Sequence, residues 1–236
     1  MENQATGVLY LVSTPIGNME DITLRALRIL KETPVIFAED TRSALNLFKY
    51  HNIDISLKRI ISFFEENEES RQEEVLKYLK DGINIALISE SGTPLVSDPG
   101  FKLVRSLTEN NIKIESIPGP TALISALSVS GLPTNAFLFM GFLPKKETHV
   151  KKVLLQTINA LEILDQCKTI IVYESPHRLL KTLNLMLEVF GNTKITVARE
   201  LTKIYEEVRR ERVSESIKYF TEHQPRGEFT ILLSPK

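Results

Sequence analysis

The stretch Ala86-Leu87-Ile88-Ser89-Glu90-Ser91-Gly92-Thr93-Pro94-Leu95-Val96-Ser97-Asp98-Pro99-Gly100 decides the fold. Together with the preceding residues it opens on an apolar run, Ile83 to Ile88, that reads as a buried strand. A loop dense in Ser, Gly, Pro and Asp follows. Phe101 to Leu107 then resumes with helical spacing. In an open α/β sheet, ligands bind beyond the carboxyl ends of the strands. Gly92 allows backbone to come close to a ligand. Pro94 and Pro99 restrict the loop, so a site built on it is largely preformed. The composition alone also fits an ordinary strand-to-helix turn, but the loop is longer than most such connections.

Upstream, the same alternation repeats. Val8–Val12 reads as an opening strand, followed by the turn Ser13–Asn18. Asp21 or Thr23 can cap a helix with Leu24, Leu27 and Leu30 on its apolar face. Val35–Ala38 is a second strand, running through Glu39-Asp40-Thr41-Arg42 into a helix with Leu45, Leu47 and Phe48. Ile60–Phe63 is a third strand, and the acidic Glu65–Glu69 leads into a helix carrying Val75, Leu76 and Leu79. Downstream, a helix runs to about Asn110 and Lys113–Ile117 is a fifth strand. Strand-helix alternation of this kind predicts a mostly parallel, Rossmann-like sheet with helices on both faces.

Pro118-Gly119-Pro120 is the strongest punctuation in the chain. A division there gives two α/β domains, 1–118 and 119–236. The second half opens with a small-residue helix, Thr121–Val129. Its strands are expected at Phe137–Phe142, Thr169–Tyr173, Lys194–Ala198, Tyr205–Arg212 and Glu228–Leu233. Helices at 150–164, 176–189 and 214–222 separate only some of these, which predicts a mixed sheet. The basic segment Pro144–Lys152 reads as a polar loop.

Composition narrows the function. The chain has 236 residues, 42% of them hydrophobic, and a formal net charge of -1. Any nucleic-acid partner must therefore be met by a local patch. A single cysteine, Cys167, excludes a disulfide framework and a Cys-cluster metal site. Met1–Thr6 lacks the pattern of a secretory signal, and no apolar run approaches the roughly 20 residues of a membrane span. The expectation is a soluble, cytoplasmic protein. Phosphate-loop, dinucleotide, metal-helix and nucleophile-elbow motifs are absent, and His51, His149, His177 and His223 are scattered. No metal is expected.

What remains is a set of loops after strands. Arg42, His177 and Arg178 fall where the first turns of helices are expected. Positive charge there opposes the helix macrodipole at roughly 0.3–1 kcal/mol each. An internal carboxylate, Asp40 or Glu174, or a bound phosphate would offset that cost.

The loops also carry a resemblance. Ser89-Glu90-Ser91-Gly92-Thr93-Pro94-Leu95-Val96-Ser97-Asp98-Pro99-Gly100 resembles the signature loop of the tetrapyrrole-methylase-like, class III S-adenosylmethionine-dependent methyltransferases. Within these it is most similar to the ribosomal RNA small subunit methyltransferase I family. That family usually has Asp-Ala where this chain has Glu90-Ser91. Leu9–Asn18, Ala38–Arg42, Pro118–Ala122 with Ser130–Pro133, Gly141–Lys145, Tyr173–Arg178, Ala198–Lys203 and Gly227–Phe229 resemble further family signatures in the same order.

The resemblance implies S-adenosylmethionine held in a cleft between two domains, usually in a homodimer. It implies methylation of a cytidine ribose 2′-hydroxyl in the decoding region of small-subunit (16S) rRNA within the 30S subunit. By motif position, cofactor contacts fall on Pro15, Ser91, Gly92, Thr93, Val96, Thr121, Ala122, Tyr173, Glu174 and Leu201. A ribose hydroxyl needs a base or polarising group, for which Glu39, Asp40, Glu174, Glu200 and Lys203 are candidates, with Asp40, Glu174 and Lys203 foremost. Arg42, Lys145, Lys146, Arg178 and Arg199 are the candidate contacts to RNA phosphates; a solvated linker explains the lysines equally well. A tetrapyrrole-type small-molecule methyltransferase, and a binding module without turnover, are the alternatives.

Overall fold

The computed structural model of the protein describes residues 6–164 and 166–235. Its contacts divide the chain into two compact units, Met1–Thr121 and Ala122–Lys236. Gly119, Pro120 and Thr121, which the sequence reading assigns to the second half, pack with the first.

The first unit alternates β1 (Leu9–Val12), α1 (Leu24–Glu32), β2 (Val35–Ala38), α2 (Thr41–Tyr50), β3 (Arg59–Ser62), α3 (Glu68–Lys80), β4 (Ile85–Ile88), α4 (Phe101–Glu109) and β5 (Ile114–Ile117). The strands form one sheet in the order β3-β2-β4-β1-β5, and every pairing is parallel. Alternate strand side chains point to opposite faces. Ile36, Ala38, Ala86 and Ile88 pack with Ala26, Ile29 and Leu30 of α1 and with Ala44, Leu47 and Phe48 of α2. Val35, Phe37, Ile85 and Leu87 pack instead with Val75 and Leu79 of α3 and with Leu103 and Leu107 of α4. Each fully buried side chain of this size contributes roughly 1.5–3 kcal/mol. Both faces are covered, which is why the strands read as continuous apolar runs.

The consequence for function lies at β1 and β4. They are neighbours in the sheet, but the helices that follow them lie on opposite faces. Their loops therefore part at a topological switch point, where such sheets open a crevice.

The second unit contains α5 (Ala122–Ser130), β6 (Phe137–Phe142), α6 (Glu147–Ile163), β7 (Thr169–Glu174), α7 (Leu179–Phe190), β8 (Lys194–Arg199), β9 (Glu207–Arg212), α8 (Val213–Glu222) and β10 (Phe229–Leu233). The sheet order is β6-β7-β10-β8-β9. Only β6–β7 is parallel, so the sheet is mixed. α6, α7 and α8 bury Leu154, Leu183, Met186 and Phe220 against Ile170, Val172, Ile195, Val197 and Ile231. The helix α5 meets the sheet through polar groups as well: Thr196 Oγ1 donates to the Ser130 carbonyl at 3.0 Å, and Arg210 Nε to that of Val129 at 2.9 Å. Cys167 is buried and free, as a packing residue.

Three sequence expectations shift. The buried face of α1 is Ala26, Ile29 and Leu30, whereas Leu24 is 86% exposed, because the Thr23 cap fixes the start of the helix and hence which face turns inward. The basic segment is loop only as far as Lys146: α6 already begins at Glu147, whose carboxylate suits the first turn. The helix α7 begins at Leu179, so His177 and Arg178 precede its first turn.

Candidate active site

Three loops after strands of the first sheet are tied into one ridge. Thr14 and Gly92 form an isolated antiparallel bridge, with Thr14 N–H donating to the Gly92 carbonyl at 2.8 Å and Gly92 N–H returning the bond at 3.1 Å. Ser13 Oγ lies 2.9 Å from Thr93 Oγ1, and Thr93 Oγ1 donates to the Pro120 carbonyl at 3.2 Å. The loop after β1 thus holds the loop after β4, which in turn holds the loop after β5. Gly119 is required for this closeness: a Cβ there would stand 2.8 Å from the Ser13 Cβ.

The loop after β4 has unusual backbone. Gly92, Leu95, Ser97 and Gly100 have φ of 82°, 71°, 71° and 125°. Left-handed geometry at Leu95 and Ser97 costs of order 1–3 kcal/mol each, and such strain gathers at functional sites. Pro94 and Pro99 brace the turn. The N-cap of α4 is Gly100, which has no side chain to offer. The buried Glu68 of α3 takes over, accepting from Leu103 N–H at 3.1 Å. Pro15, Ser91, Gly92, Thr93, Val96 and Thr121 of the sequence-derived set belong to these three loops.

Beside them, at the carboxyl end of β2, Glu39 Oε2 accepts from the Glu90 amide at 3.0 Å. Asp40 caps α2, accepting from Arg42 N–H at 2.7 Å and Ser43 N–H at 3.4 Å. It also pairs with the Arg42 guanidinium at 2.8 Å. The Arg42 side-chain and backbone bonds hold the Asp40 carboxyl down at about 2. A carboxylate that weakly basic makes a poor proton acceptor at neutral pH. Asp98 stands apart. It lines a shallow recess with Glu39, Ser89, Phe63, Pro94 and Pro99. Burial first, and then the facing Glu39 carboxylate, push its carboxyl up to about 7. Sequence reading passed over Asp98 as a site residue. Only its place in the quoted loop, next to Pro99, could have drawn attention to it; its burial beside Glu39 is a product of the fold.

In the second unit the predicted residues are largely occupied by the fold. The Tyr173 hydroxyl accepts from Leu123 N–H at 3.0 Å, near the start of α5, where Ala122 also sits. Glu174 is buried and accepts from Ser175 N–H, Thr182 Oγ1 and Arg178 Nε. Arg178 also donates to the carbonyls of Leu143 and Pro144 at 2.8 and 3.0 Å. It braces the start of the lysine segment from behind. Arg199 is committed to the Arg226 carbonyl and Glu207.

Lys203 pairs with Glu200 at 3.1 Å and Glu228 at 2.9 Å. Burial, which lowers the ammonium pKa, is outweighed by these two carboxylates, so the net shift is upward. Glu200 and Thr202 take left-handed φ of 49° and 65°, and Leu201 sits between them on a braced turn. The charge penalty inferred at the start of α2 is therefore met by Asp40, while Arg178, which precedes α7, pairs with Glu174. Lys145 and Lys146 are exposed, and the Arg42 side chain is 87% exposed. Among the described residues no cluster of His, Cys, Asp and Glu is arranged to hold a metal ion.

Comparison with known proteins agrees with this architecture. Residues 8–216 match the family model described as Tetrapyrrole (Corrin/Porphyrin) Methylases. A Thermotoga maritima protein named ribosomal RNA small subunit methyltransferase I is 42% identical over 230 residues, covering 98% of this chain and 99% of that protein. The solved methyltransferase CobJ shares the fold with a TM-score of 0.73 at 16% identity, over 98% of this chain and 95% of its own. Uroporphyrin-III C-methyl transferase from Thermus thermophilus, solved with S-adenosylhomocysteine, gives 0.60 at 18% identity over 96% of this chain and 97% of that one.

Proposed function

Because this chain belongs to the ribosomal RNA small subunit methyltransferase I family of tetrapyrrole methylases, we propose that it transfers a methyl group from S-adenosylmethionine to a cytidine ribose 2′-oxygen in the decoding region of 16S rRNA. The observation that carries this reading is the locked Thr14–Gly92 bridge at the β1/β4 switch point. It fixes the loops after β1 and β4 against each other at the place where such sheets take their ligands.

The residues present fit the cofactor. Gly92 has φ +82°, and the absence of a side chain lets the loop pack close to Ile16 and the Pro120 carbonyl. Glu39 and Glu90 meet at this end of the sheet and would supply negative charge to complement a sulfonium. The cofactor, when bound, supplies an activated methyl group. Pro15, Ser91, Gly92, Thr93, Val96 and Thr121 would hold it from the first unit. Ala122, Tyr173, Glu174 and Leu201 are the contacts proposed in the second. The protein's own work is positioning, which can supply several kcal/mol of a transfer barrier. Lys145, Lys146 and Arg42 are the exposed cations proposed to meet RNA phosphates. The same reading takes the protein as a cytoplasmic homodimer, which light scattering and cell fractionation test. No helix among the described residues is long and apolar enough to cross a membrane.

The test is transfer of labelled methyl to purified 30S subunits, with 2′-O modification mapped by resistance to alkaline cleavage. Label in an alkali-resistant dinucleotide of 16S rRNA is the expected result. Label on a uroporphyrin-type substrate and none on RNA overturns the assignment.

A further inference from the structure

We propose that Asp98 is the general base of the reaction, taking the proton of the attacking ribose hydroxyl, and that Glu39 is the positioning residue that keeps it ready. This rests on the function proposed above.

The geometry singles Asp98 out. The five bases named from the sequence are committed: Asp40 to the α2 cap and Arg42, Glu174 to three donors, Lys203 to two carboxylates, Glu200 to Lys203 and the Glu228 amide, and Glu39 to the Glu90 amide. Asp98 faces the Glu39 carboxylate in a recess whose other walls include Phe63, Pro94 and Pro99. Two acids facing each other in such surroundings weaken the fold, and a neutral Asn would satisfy Ser89 without that cost. The chain accepts further strain beside the arrangement, with left-handed φ at Leu95 and Ser97 on the N-terminal side of Asp98. The recess adjoins the loop after β4: Ser89 Oγ, the hydrogen-bond partner of Asp98, also lies 3.3 Å from the carbonyl oxygens of Ser91 and Gly92.

The charged groups around Asp98 come from two elements. Glu39 follows β2, and Glu90 lies on the loop after β4, with Arg42 of α2 acting on Glu90. Phe63, from the end of β3, brings no charge. Burial and Glu39 raise the Asp98 carboxyl, Ser89 opposes them, and Glu90 adds a smaller upward push. A base poised near neutrality combines a high ionised fraction with useful basicity.

The step balances. The hydroxyl proton passes to the Asp98 carboxylate as the oxygen forms its bond to the methyl carbon. The carbon–sulfur bond breaks with its electron pair left on sulfur. A sulfonium and a carboxylate become a neutral thioether and a carboxylic acid, which then loses its proton to water.

The test compares wild type, D98N, D98E and E39Q in single-turnover methylation of 30S subunits between pH 5.5 and 9. Two further readouts are binding of S-adenosylhomocysteine by calorimetry and titration of the Asp98 carboxyl carbon by NMR in cofactor-free protein. The expected wild-type rate climbs to a plateau through an apparent pKa near 7. D98N lowers it at least ~100-fold and abolishes the climb, while the product-cofactor Kd stays within about twofold. D98E recovers part of the rate. E39Q moves both the NMR titration and the climb to lower pH. The proposal is overturned if D98N keeps the climb or most of the rate, or if Asp98 titrates in the ordinary carboxylate range. A wild type that methylates the 2′-oxygen while D98N does so equally sinks only this inference. A wild type that leaves the 2′-oxygen unmethylated sinks the functional reading and the inference together.

Discussion

Thr14 and Gly92 exchange a pair of backbone hydrogen bonds at 2.8 and 3.1 Å, joining loops that belong to neighbouring strands but lead to helices on opposite faces of the sheet. The partners in this bridge are backbone groups, so it resists most side-chain changes. It depends on a left-handed residue at Gly92.

Replacing Gly92 by Ala tests that dependence. The new Cβ has room, at 3.4 Å from Ile16 Cγ2, so the cost is conformational. A φ of +82° forces the L-residue into a region that disfavours it by roughly 1–2 kcal/mol. Urea unfolding should show that loss, and calorimetry should show weaker binding of S-adenosylhomocysteine. Unchanged stability would mean the loop relaxes into another geometry.

Glu174 is expected to behave as a structural acid. Its side chain is fully buried and ties Ser175, Thr182 and Arg178 together. Glu174→Ala should destabilise by about 3 kcal/mol, the lower end for breaking a buried pair, since Arg178 retains some solvent. Glu174→Gln should cost less. Denaturant midpoints of the two variants, compared with wild type, measure the difference.

Stability should respond to pH through Asp98. Its carboxyl is raised to about 7 from 3.8, so between those values the folded state binds more protons than the unfolded one. Stability contributed by this group therefore falls as pH rises from about 4 to 7. Asp98→Asn should remove that slope and, after allowance for solvent screening of a partly exposed group, stabilise the protein at pH 8 by about 1–2 kcal/mol. Asp40 acts in the opposite sense. Its carboxyl is lowered to about 2, so its contribution is present above the unfolded value of 3.8 and is lost as pH falls toward 2. Melting curves from pH 2 to 9 on wild type, D98N and D40N separate the two.

Lys203 braces its loop through two carboxylates. Lys203→Ala should lower stability by roughly 1 kcal/mol and reduce transfer through weaker cofactor binding. Lys203→Arg should restore both, because a guanidinium can also bridge two acids. A lysine acting in the chemistry itself would not be rescued that way, and steady-state KM against kcat for the pair distinguishes the roles.

The exposed lysines make a different prediction. Lys145→Ala with Lys146→Ala should leave the fold intact and flatten the salt dependence of rRNA binding, by roughly 0.7–0.9 in slope for each phosphate that is no longer neutralised. Arg178→Ala should instead loosen the loop, by releasing the Leu143 and Pro144 carbonyls. Filter binding across a salt series, paired with thermal melts, shows which effect each variant has.

By itself the sequence determined the ten strands found among the described residues, and that the first sheet is parallel in the main and the second mixed. Those signals are local: apolar runs such as Ile85–Ile88, capping residues such as Thr23, and glycine–proline punctuation at Pro118–Pro120 act through the chain's immediate neighbours. Only the tertiary structure decided which charged groups are free. Asp40 and Arg42 could be paired on paper, but Arg178 reaching Leu143 and Lys203 reaching Glu228 are contacts between distant segments. Asp98 was invisible for the same reason. Its basicity comes from burial and from Glu39, just beyond the end of β2, and both arise when β2 and β4 are laid side by side.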